Sequence, residues 1–495
     1  MYPTLEQVRS IAASGNYRRV PVSRELMADR FTPVEVMRTL RAASRHCYLL
    51  ESADSNHTWG RYSFLGYAPS LELTCTDGTL RIRAGSEEEG WQEETRQVDH
   101  PHSAIREILE RYKSPKVEGM PPFTGGLVGY FSYDYIKYAE PSLRLSSGAG
   151  QEFRDVDLML FDKVIVFDHG RQKVILIAGV DTARLEESYR EAERELAEMA
   201  RLLTSGARAD FKPLRLKGPM EPCFSKEQYC RMVERAKGYI FEGDIFQVVL
   251  SNPMTAPAEG NLFDVYRCLR TENPSPYMFY FSSDDIELAG ASPETLARLE
   301  DGVLHTFPLA GTRPRGKTQA EDLRLECELL ADEKERAEHN MLVDLGRNDI
   351  GRVSVLGSVQ VERHMTIARF SHVMHIGSTV SGRIQPDRDA LDAVDSILPA
   401  GTLSGAPKLR ACQIIQELEG RKRGVYGGAI GYLDFTGNLD TCIAIRLVYK
   451  KSGRVCVQSG AGIVSGSVPE TEFQECINKA RAVVRALEQA QEGLE

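Results

Sequence analysis

Two helical stretches of this 495-residue chain carry glutamates three residues apart. In AEHNMLVDLGRND, Ala337 to Asp349, Glu338 stacks on Met341, Leu342 and Leu345 at spacings of three, four and seven, and Glu335 stands three residues before it. At about 100° per residue these positions share one side of a helix. In FQECINKARAVVRALEQA the apolar face is Phe473, Cys476, Ile477, Ala480, Val483, Val484 and Leu487, and Glu472, Glu475 and Lys479 form a stripe beside it. Two helices that each offer a carboxylate pair have the chemistry to hold a hard divalent cation, and Mg²⁺ is satisfied by few protein oxygens plus water and substrate. The plainer reading is a solvated boundary residue at Glu338 and a surface Glu475–Lys479 pair. The sequence does not show whether the helices meet.

Glycine- and proline-rich turns lie beside reactive side chains in ASPETL (from Ala291), PLAGTRPRG (Pro308), LPAGTLSGAPK (Leu398), YGGAIGY (Tyr426) and QSGAGIVSGSVPETE (Gln458). GTLSGAPK is not a phosphate loop, which needs GxxxxGK followed by Ser or Thr. Bare backbone N–H groups at Gly460, Ala461 and Gly462 and at Gly311 and Thr312 suit an anion, with Arg446 and Lys479 as compensating charges. A small polyanion is the ligand this pattern expects.

A net charge of −10 without a basic block predicts neither a nucleic acid nor an anionic membrane as partner. MYPTLEQVRS has no basic region followed by an apolar core, and no stretch is greasy enough to span a bilayer, so a cytoplasmic protein is expected. The ten cysteines show no CxxC pair or zinc-ligand spacing and read as reduced thiols.

The elements that must position these groups are partly legible. KVIVFD and KVILIAGV flank HGRQ as a hairpin, and a long helix follows from Asp181. Thr204 to Pro222, aperiodic and rich in Gly and Pro, is the best boundary. Ser225 with Gln228 predicts a capping box. GGLVGYFSYD at Gly125 is echoed by GGAIGYLDF at Gly427, as similar β-hairpin edges would produce.

Taken in order and spacing, PLAGTRPRG, AEHNMLVDLGRND, LPAGTLSGAPK, YGGAIGY, TCIAIR and QSGAGIVSGSVPETEFQECINKA resemble the chorismate-binding domain of the chorismate-utilising family: anthranilate, aminodeoxychorismate, isochorismate and salicylate synthases. The match runs from about 225 to 482, and YLLESADSN at Tyr48 and FTGGLVGYFSYD at Phe123 extend it toward the N-terminus. It implies an α/β fold of the α+β type, two intertwined domains whose large, mainly antiparallel sheets pack together with helices outside. The N-terminal domain would span 20–170 and carry regulatory segments, and the chorismate-binding catalytic domain 225–482. Isochorismate and salicylate synthases carry a water-activating lysine where Gln247 stands. Aminodeoxychorismate synthases commonly carry a lysine where Ala310 precedes Gly311, and a PGGSITGAPK-like loop in place of PAGTLSGAPK. The departures point to the anthranilate synthase component I branch, an aminodeoxychorismate synthase or a non-catalytic tryptophan sensor of the same fold being the alternatives.

The resemblance also implies roles. Mg²⁺ would bridge Glu338 and Glu475 to the ring carboxylate of chorismate, with Glu335 and Glu472 as supporting carboxylates. Glu294 would be the general acid for the departing C4 hydroxyl, and His375, in FSHVMHIG with His372 one step off, the base for the C2 proton. Gly311, Thr312, Tyr426, Arg446, Gly460, Ala461, Gly462 and Lys479 would hold the substrate. L-Tryptophan would inhibit from a site built by Glu51, Ser52, Pro276, Tyr277 and Met278, with Ile430 and Tyr432 lining the indole slot. The chain lacks a GxCxG nucleophile cysteine, so a partner glutamine amidotransferase subunit, in a heterotetramer, is expected to deliver ammonia.

Overall fold

Runs such as KVIVFD are apolar without alternation, as strands covered on both faces should be. In the computed structural model, which describes residues 1–52, 60–86, 90–143, 153–370 and 373–494, both covers are present. Two sheets of 13 and 12 strands lie face to face. Between them Tyr48, Phe64, Phe279 and Phe281 of the first meet Val128, Tyr130, Met159 and Ile430 of the second. The outer side of the first sheet is covered by helices Pro33–Ala43, Leu185–Ser205, Phe263–Glu272 and Pro469–Ala490. Helices His102–Arg111, Glu333–Gly351 and Ala390–Ile397 cover the second. The fold is therefore helix, sheet, sheet, helix, with antiparallel pairings and helices outside, as expected.

Each sheet takes strands from both halves of the chain. Through the middle of the first, Tyr62–Tyr67, Cys47–Glu51, Tyr277–Ser282, Ile286–Ser292, Leu447–Lys451, Arg454–Ile463 and Gln247–Glu259 lie side by side. The segment around Thr204–Pro222 ends one helix and supplies two short strands that pair with Gln247–Glu259. Ser225 and Gln228 form the capping box that opens the next helix, Lys226–Phe241.

The echoed glycine motifs lie on strands that pair with each other, and the second of them, Ala429–Asp434, is also one arm of a hairpin with Leu439–Ile443. Gly126–Phe131 and Ala429–Asp434 are neighbouring strands inside the second sheet, with Gly129 opposite Gly431. A Cβ on Gly431 would sit 2.0 Å from the Asp440 carbonyl oxygen, so close backbone approach accounts for glycine there. His372 and the ADSN residues after Ser52 lie outside the described residues. No helix among the described residues is long and apolar enough to cross a membrane.

Candidate active site

A cavity of about 550 Å³ opens where strands Gln247–Glu259 and Arg454–Ile463 meet helices Glu333–Gly351 and Pro469–Ala490. The residues proposed for catalysis, substrate and cation line it, with one exception. Ala461 points to the other side of its strand, into the core with Val248, Leu250 and Ile463, as strand alternation requires between Gly460 and Gly462.

Glu294 follows the end of strand Ile286–Ser292, and its Oε1 accepts a 3.3 Å hydrogen bond from the Thr402 hydroxyl. Burial pushes its carboxyl up to about 8, against the opposing influence of Thr402, Arg446 and Lys479. At neutral pH the group is mainly protonated, the state a general acid needs. Across the cavity His375 Nδ1 lies 2.7 Å from the Gly311 carbonyl oxygen and 3.2 Å from the Thr312 hydroxyl. An Nδ1–H donated to that carbonyl leaves Nε2 as the basic nitrogen. Burial lowers the histidine's pKa, the Gly311 bond opposes this and Arg446 adds to it, so the ring is a neutral base at pH 7. One wall therefore carries a proton and the other accepts one.

Glu335 and Glu338 of one helix and Glu472 and Glu475 of the other all reach this cavity. Glu338 sits half-buried on the stripe shared with Met341, Leu342 and Leu345. Burial raises its pKa, and repulsion from Glu335 and Glu475 adds to the rise against Lys334 and Lys479. Glu472 is raised by burial and by Glu475, against a hydrogen bond from Ser467 and the charges of Lys479 and Lys334. Crowded carboxylates of this kind are relieved by a cation, and all-oxygen donors suit Mg²⁺. Lys479 lies 2.7 Å from Glu475 Oε1 and donates to the Gly460 carbonyl at 3.2 Å.

The opposite end of the cavity is equally defined. Arg446 adopts φ +51, a left-handed backbone that is uncommon for a non-glycine residue. Its guanidinium makes no hydrogen bond or ion pair with the described residues, although it lines the cavity. The Tyr426 ring is buried and burial raises its pKa, so its hydroxyl remains a neutral donor. Gly460 is required by crowding: a Cβ there would stand 2.6 Å from the Leu250 carbonyl and 3.0 Å from the Tyr426 hydroxyl. At Gly311 the requirement is a backbone φ of +65. Gln247 is buried, with Oε1 lacking a hydrogen-bond partner among the described residues.

A family model for chorismate binding enzymes matches residues 45–485. The chain belongs to the chorismate-binding enzyme family. Anthranilate synthase component 1 of Acetivibrio thermocellus is 44% identical over 499 residues, covering 99% of each chain. That of Pseudomonas aeruginosa is 44% identical over 496 residues, again covering 99% of each. The crystal structure of anthranilate synthase component I from Streptococcus pneumoniae aligns with a TM-score of 0.75 at 39% identity, covering 86% of this chain and 92% of that one. The menaquinone-specific isochorismate synthase of Escherichia coli, 20% identical with a TM-score of 0.68 over 98% of each chain, shares the fold.

This chorismate-binding enzyme has a second cavity, of about 370 Å³, where Glu51, Ser52, Pro276, Tyr277 and Met278 meet Ile430, Tyr432 and Asp440. It lies between the two sheets' strands Cys47–Glu51, Tyr277–Ser282 and Ala429–Asp434. The Ser52 hydroxyl is buried with no hydrogen-bond partner among the described residues. Glu51 is already engaged by Ser63 at 3.0 Å, by Arg270 at 2.9 Å and by the Tyr266 hydroxyl. It therefore anchors the strand end as well as facing the cavity. Asp440, bonded to the Tyr277 hydroxyl at 2.8 Å, is an acid of this wall that the sequence did not single out. Burial pushes it up to about 6, against Arg298 and Tyr277.

Thr402 and Lys334 also line the first cavity. The family's GAPK motif signals its loop but not its purpose: Lys408 binds Asp349 at 2.8 Å and the Ile397 carbonyl at 2.9 Å, holding the loop that presents Thr402. Elsewhere His100, His102 and Asp395 bring ligand atoms within 4.8 Å. His100 Nδ1 accepts the His102 backbone N–H at 3.2 Å, which leaves Nε2 to donate toward Asp395, so the set is a hydrogen-bonded cluster.

Proposed function

We propose that this chain is the chorismate-converting component of an anthranilate synthase, making anthranilate and pyruvate from chorismate and ammonia. One observation carries the reading: a carboxyl held protonated and an imidazole held neutral share a cavity with four carboxylates and an arginine that is unpaired among the described residues. Arg446, the Tyr426 hydroxyl and the N–H groups of Gly460 and Gly462 bind the substrate's carboxylates, and Gly311 and Thr312 contact the ring. Glu294 gives its proton to the C4 oxygen as ammonia bonds to C2, and water departs. Nε2 of His375 then takes the C2 proton, the enolpyruvyl C–O bond breaks as the ring becomes aromatic, and the departing enolate takes up a proton at its methylene carbon to give pyruvate. Gln247 Oε1, an acceptor without a donor among the described residues, suits the N–H of ammonia and gives water no base.

Glu338 and Glu475 would hold Mg²⁺, with Glu335 and Glu472 beside them. When bound, the cation supplies charge neutralisation of the substrate carboxylate and Lewis acidity. The ammonia comes from a partner glutaminase subunit, because this chain has no cysteine in a GxCxG setting. The second cavity takes L-tryptophan, its indole against Pro276, Tyr277, Met278 and Ile430 and its polar end at Ser52 and Glu51. Since that cavity is built from both halves of the chain, occupancy biases their relative placement and hence the active site.

The purified chain with chorismate, Mg²⁺ and ammonium is expected to produce anthranilate fluorescence and stoichiometric pyruvate. A non-fluorescent aminated product without pyruvate would instead mark an aminodeoxychorismate synthase, and tryptophan binding without turnover a sensor. For the effector site, Ser52→Phe fills the cavity at an open hydroxyl. Tryptophan inhibition should weaken by about tenfold or more, a loss of about 1.4 kcal/mol, with modest change in uninhibited turnover. An unaltered inhibition curve would remove Ser52 from the site.

A further inference from the structure

Behind the anion-binding end of the cavity lies an ion pair that the chemistry above does not use. Glu419 ends helix Lys408–Glu419, and Arg423 stands four residues on in the loop beyond the left-handed Gly420; their side chains are each 1% exposed. The guanidinium donates through Nε to Glu419 Oε2 at 3.0 Å and through Nη2 to Oε1 at 2.6 Å. Its remaining reach is spent on the main chain: Nη1 on the Leu403 carbonyl at 2.6 Å and Nη2 on the Val249 carbonyl at 2.7 Å. Glu419 Oε1 also accepts the Ser251 N–H at 2.8 Å and its hydroxyl at 3.0 Å, and Ser251 Oγ accepts from Gln458 Nε2 at 2.8 Å. The guanidinium carbon stands 4.6 Å from the centre of the Tyr133 ring and 5.9 Å from that of Tyr426.

Val249, Leu403, Tyr426 and Gln458 all line the catalytic cavity. One buried pair thus fastens four separate parts of its wall: strand Gln247–Glu259, the turn that carries Thr402, the Tyr426 ring and strand Arg454–Ile463. Burying two charges costs desolvation that an apolar pair of similar volume would avoid, so stability alone is a weak reason to keep the pair here. A lysine could not replace the arginine, since a single ammonium lacks the planar fork that reaches two carbonyls and a carboxylate together.

We propose that Glu419 and Arg423 are positioning residues for substrate binding, holding Tyr426, Gln458 and the Leu403 turn in the register that receives the substrate's carboxylates. This rests on the reading of the cavity as a chorismate site. Neither residue touches substrate; both act through the walls they join. The pair also explains why the sequence between the motifs, ELEGRKRG, carries a glutamate and an arginine at a spacing of four: on a surface helix such a pair is ordinary, and only burial gives it this duty.

The test compares the full-length chain with Arg423→Lys and with the double variant Glu419→Leu/Arg423→Met, which replaces the pair by apolar groups of similar volume. Chorismate binding is measured by titration, kcat and KM by anthranilate fluorescence with ammonium, and folding by thermal melting. Displacing the wall by about 1 Å should cost about 100-fold in kcat/KM. That loss should be carried mainly by weaker chorismate binding and higher KM, in a protein that still melts cooperatively. Arg423→Lys should recover little of it. Wild-type binding and kinetics in the folded double variant overturn the positioning role alone. A wild-type chain that does not bind chorismate overturns the functional reading and this proposal with it. If both variants fail to fold, the pair is a stability element and the proposal is wrong.

Discussion

Glu294→Gln is expected to lower kcat/KM for chorismate by about 10²–10⁴-fold, the usual contribution of a positioned general acid, while the fold and tryptophan binding should persist. The amide keeps the size of the carboxyl and the bond to Thr402 but has no acidic proton to give. The same group sets one side of the pH profile. Its pKa is raised to about 8 by burial, and the protonated form is the active one, so wild-type kcat/KM should fall as pH rises through about 8. The opposite limb belongs to His375, whose neutral form is active. Its pKa is lowered from the ordinary 6.5 by burial, so activity is retained down to pH values below 6.5 before protonation of Nε2 ends it. The profile is a bell with a broad top, and the glutamine variant should lose the alkaline limb. An unchanged limb in a slowed Glu294→Gln enzyme would assign the alkaline pKa to another group.

Glu338→Gln is the second large effect. Burial and the charges of Glu335 and Glu475 already penalise the Glu338 carboxylate, so replacing it relieves repulsion and the apo protein should melt at an equal or higher temperature. The cost falls on the cation. Metal-assisted charge stabilisation is worth several kcal/mol, and at 1.36 kcal/mol per decade the Mg²⁺-dependent turnover should drop by about 100-fold or more. Direct Mg²⁺ or Mn²⁺ titration should show weakened binding in parallel. Wild-type Mg²⁺ dependence in the variant would remove Glu338 from the cation site. The opposed changes in stability and activity separate a ligand from a residue that merely shapes the helix.

The second cavity shows how a site can be half legible. Ser52, Pro276, Tyr277 and Met278 are found there together, as their motifs imply. Glu51 shares the wall, yet three donors already hold its carboxylate. Asp440, one residue before the TCIAIR motif and outside it, brings a second acid to the same wall. Motifs mark residues that cluster in sequence; they are silent about a lone aspartate delivered by a neighbouring strand.

By itself the sequence determined the apolar faces that form the helices, the two Glu–x–x–Glu spacings, the glycine turns and, through their order, the family. Those are properties of local spacing, because a helix face or a tight turn is decided within a few residues. Tertiary structure alone decided that the helices Glu333–Gly351 and Pro469–Ala490 share one cavity, that Glu294 is enclosed enough to keep its proton, and that Arg446 makes no ion pair among the described residues. It also decided that Ala461 turns away between two glycines and that the GGLVGY and GGAIGY segments pair as neighbours inside a sheet. A carboxyl's proton affinity and an ion pair's duty follow from what surrounds them once water is excluded. In this chain those surroundings come from segments more than a hundred residues apart, as Thr402 at Glu294 shows.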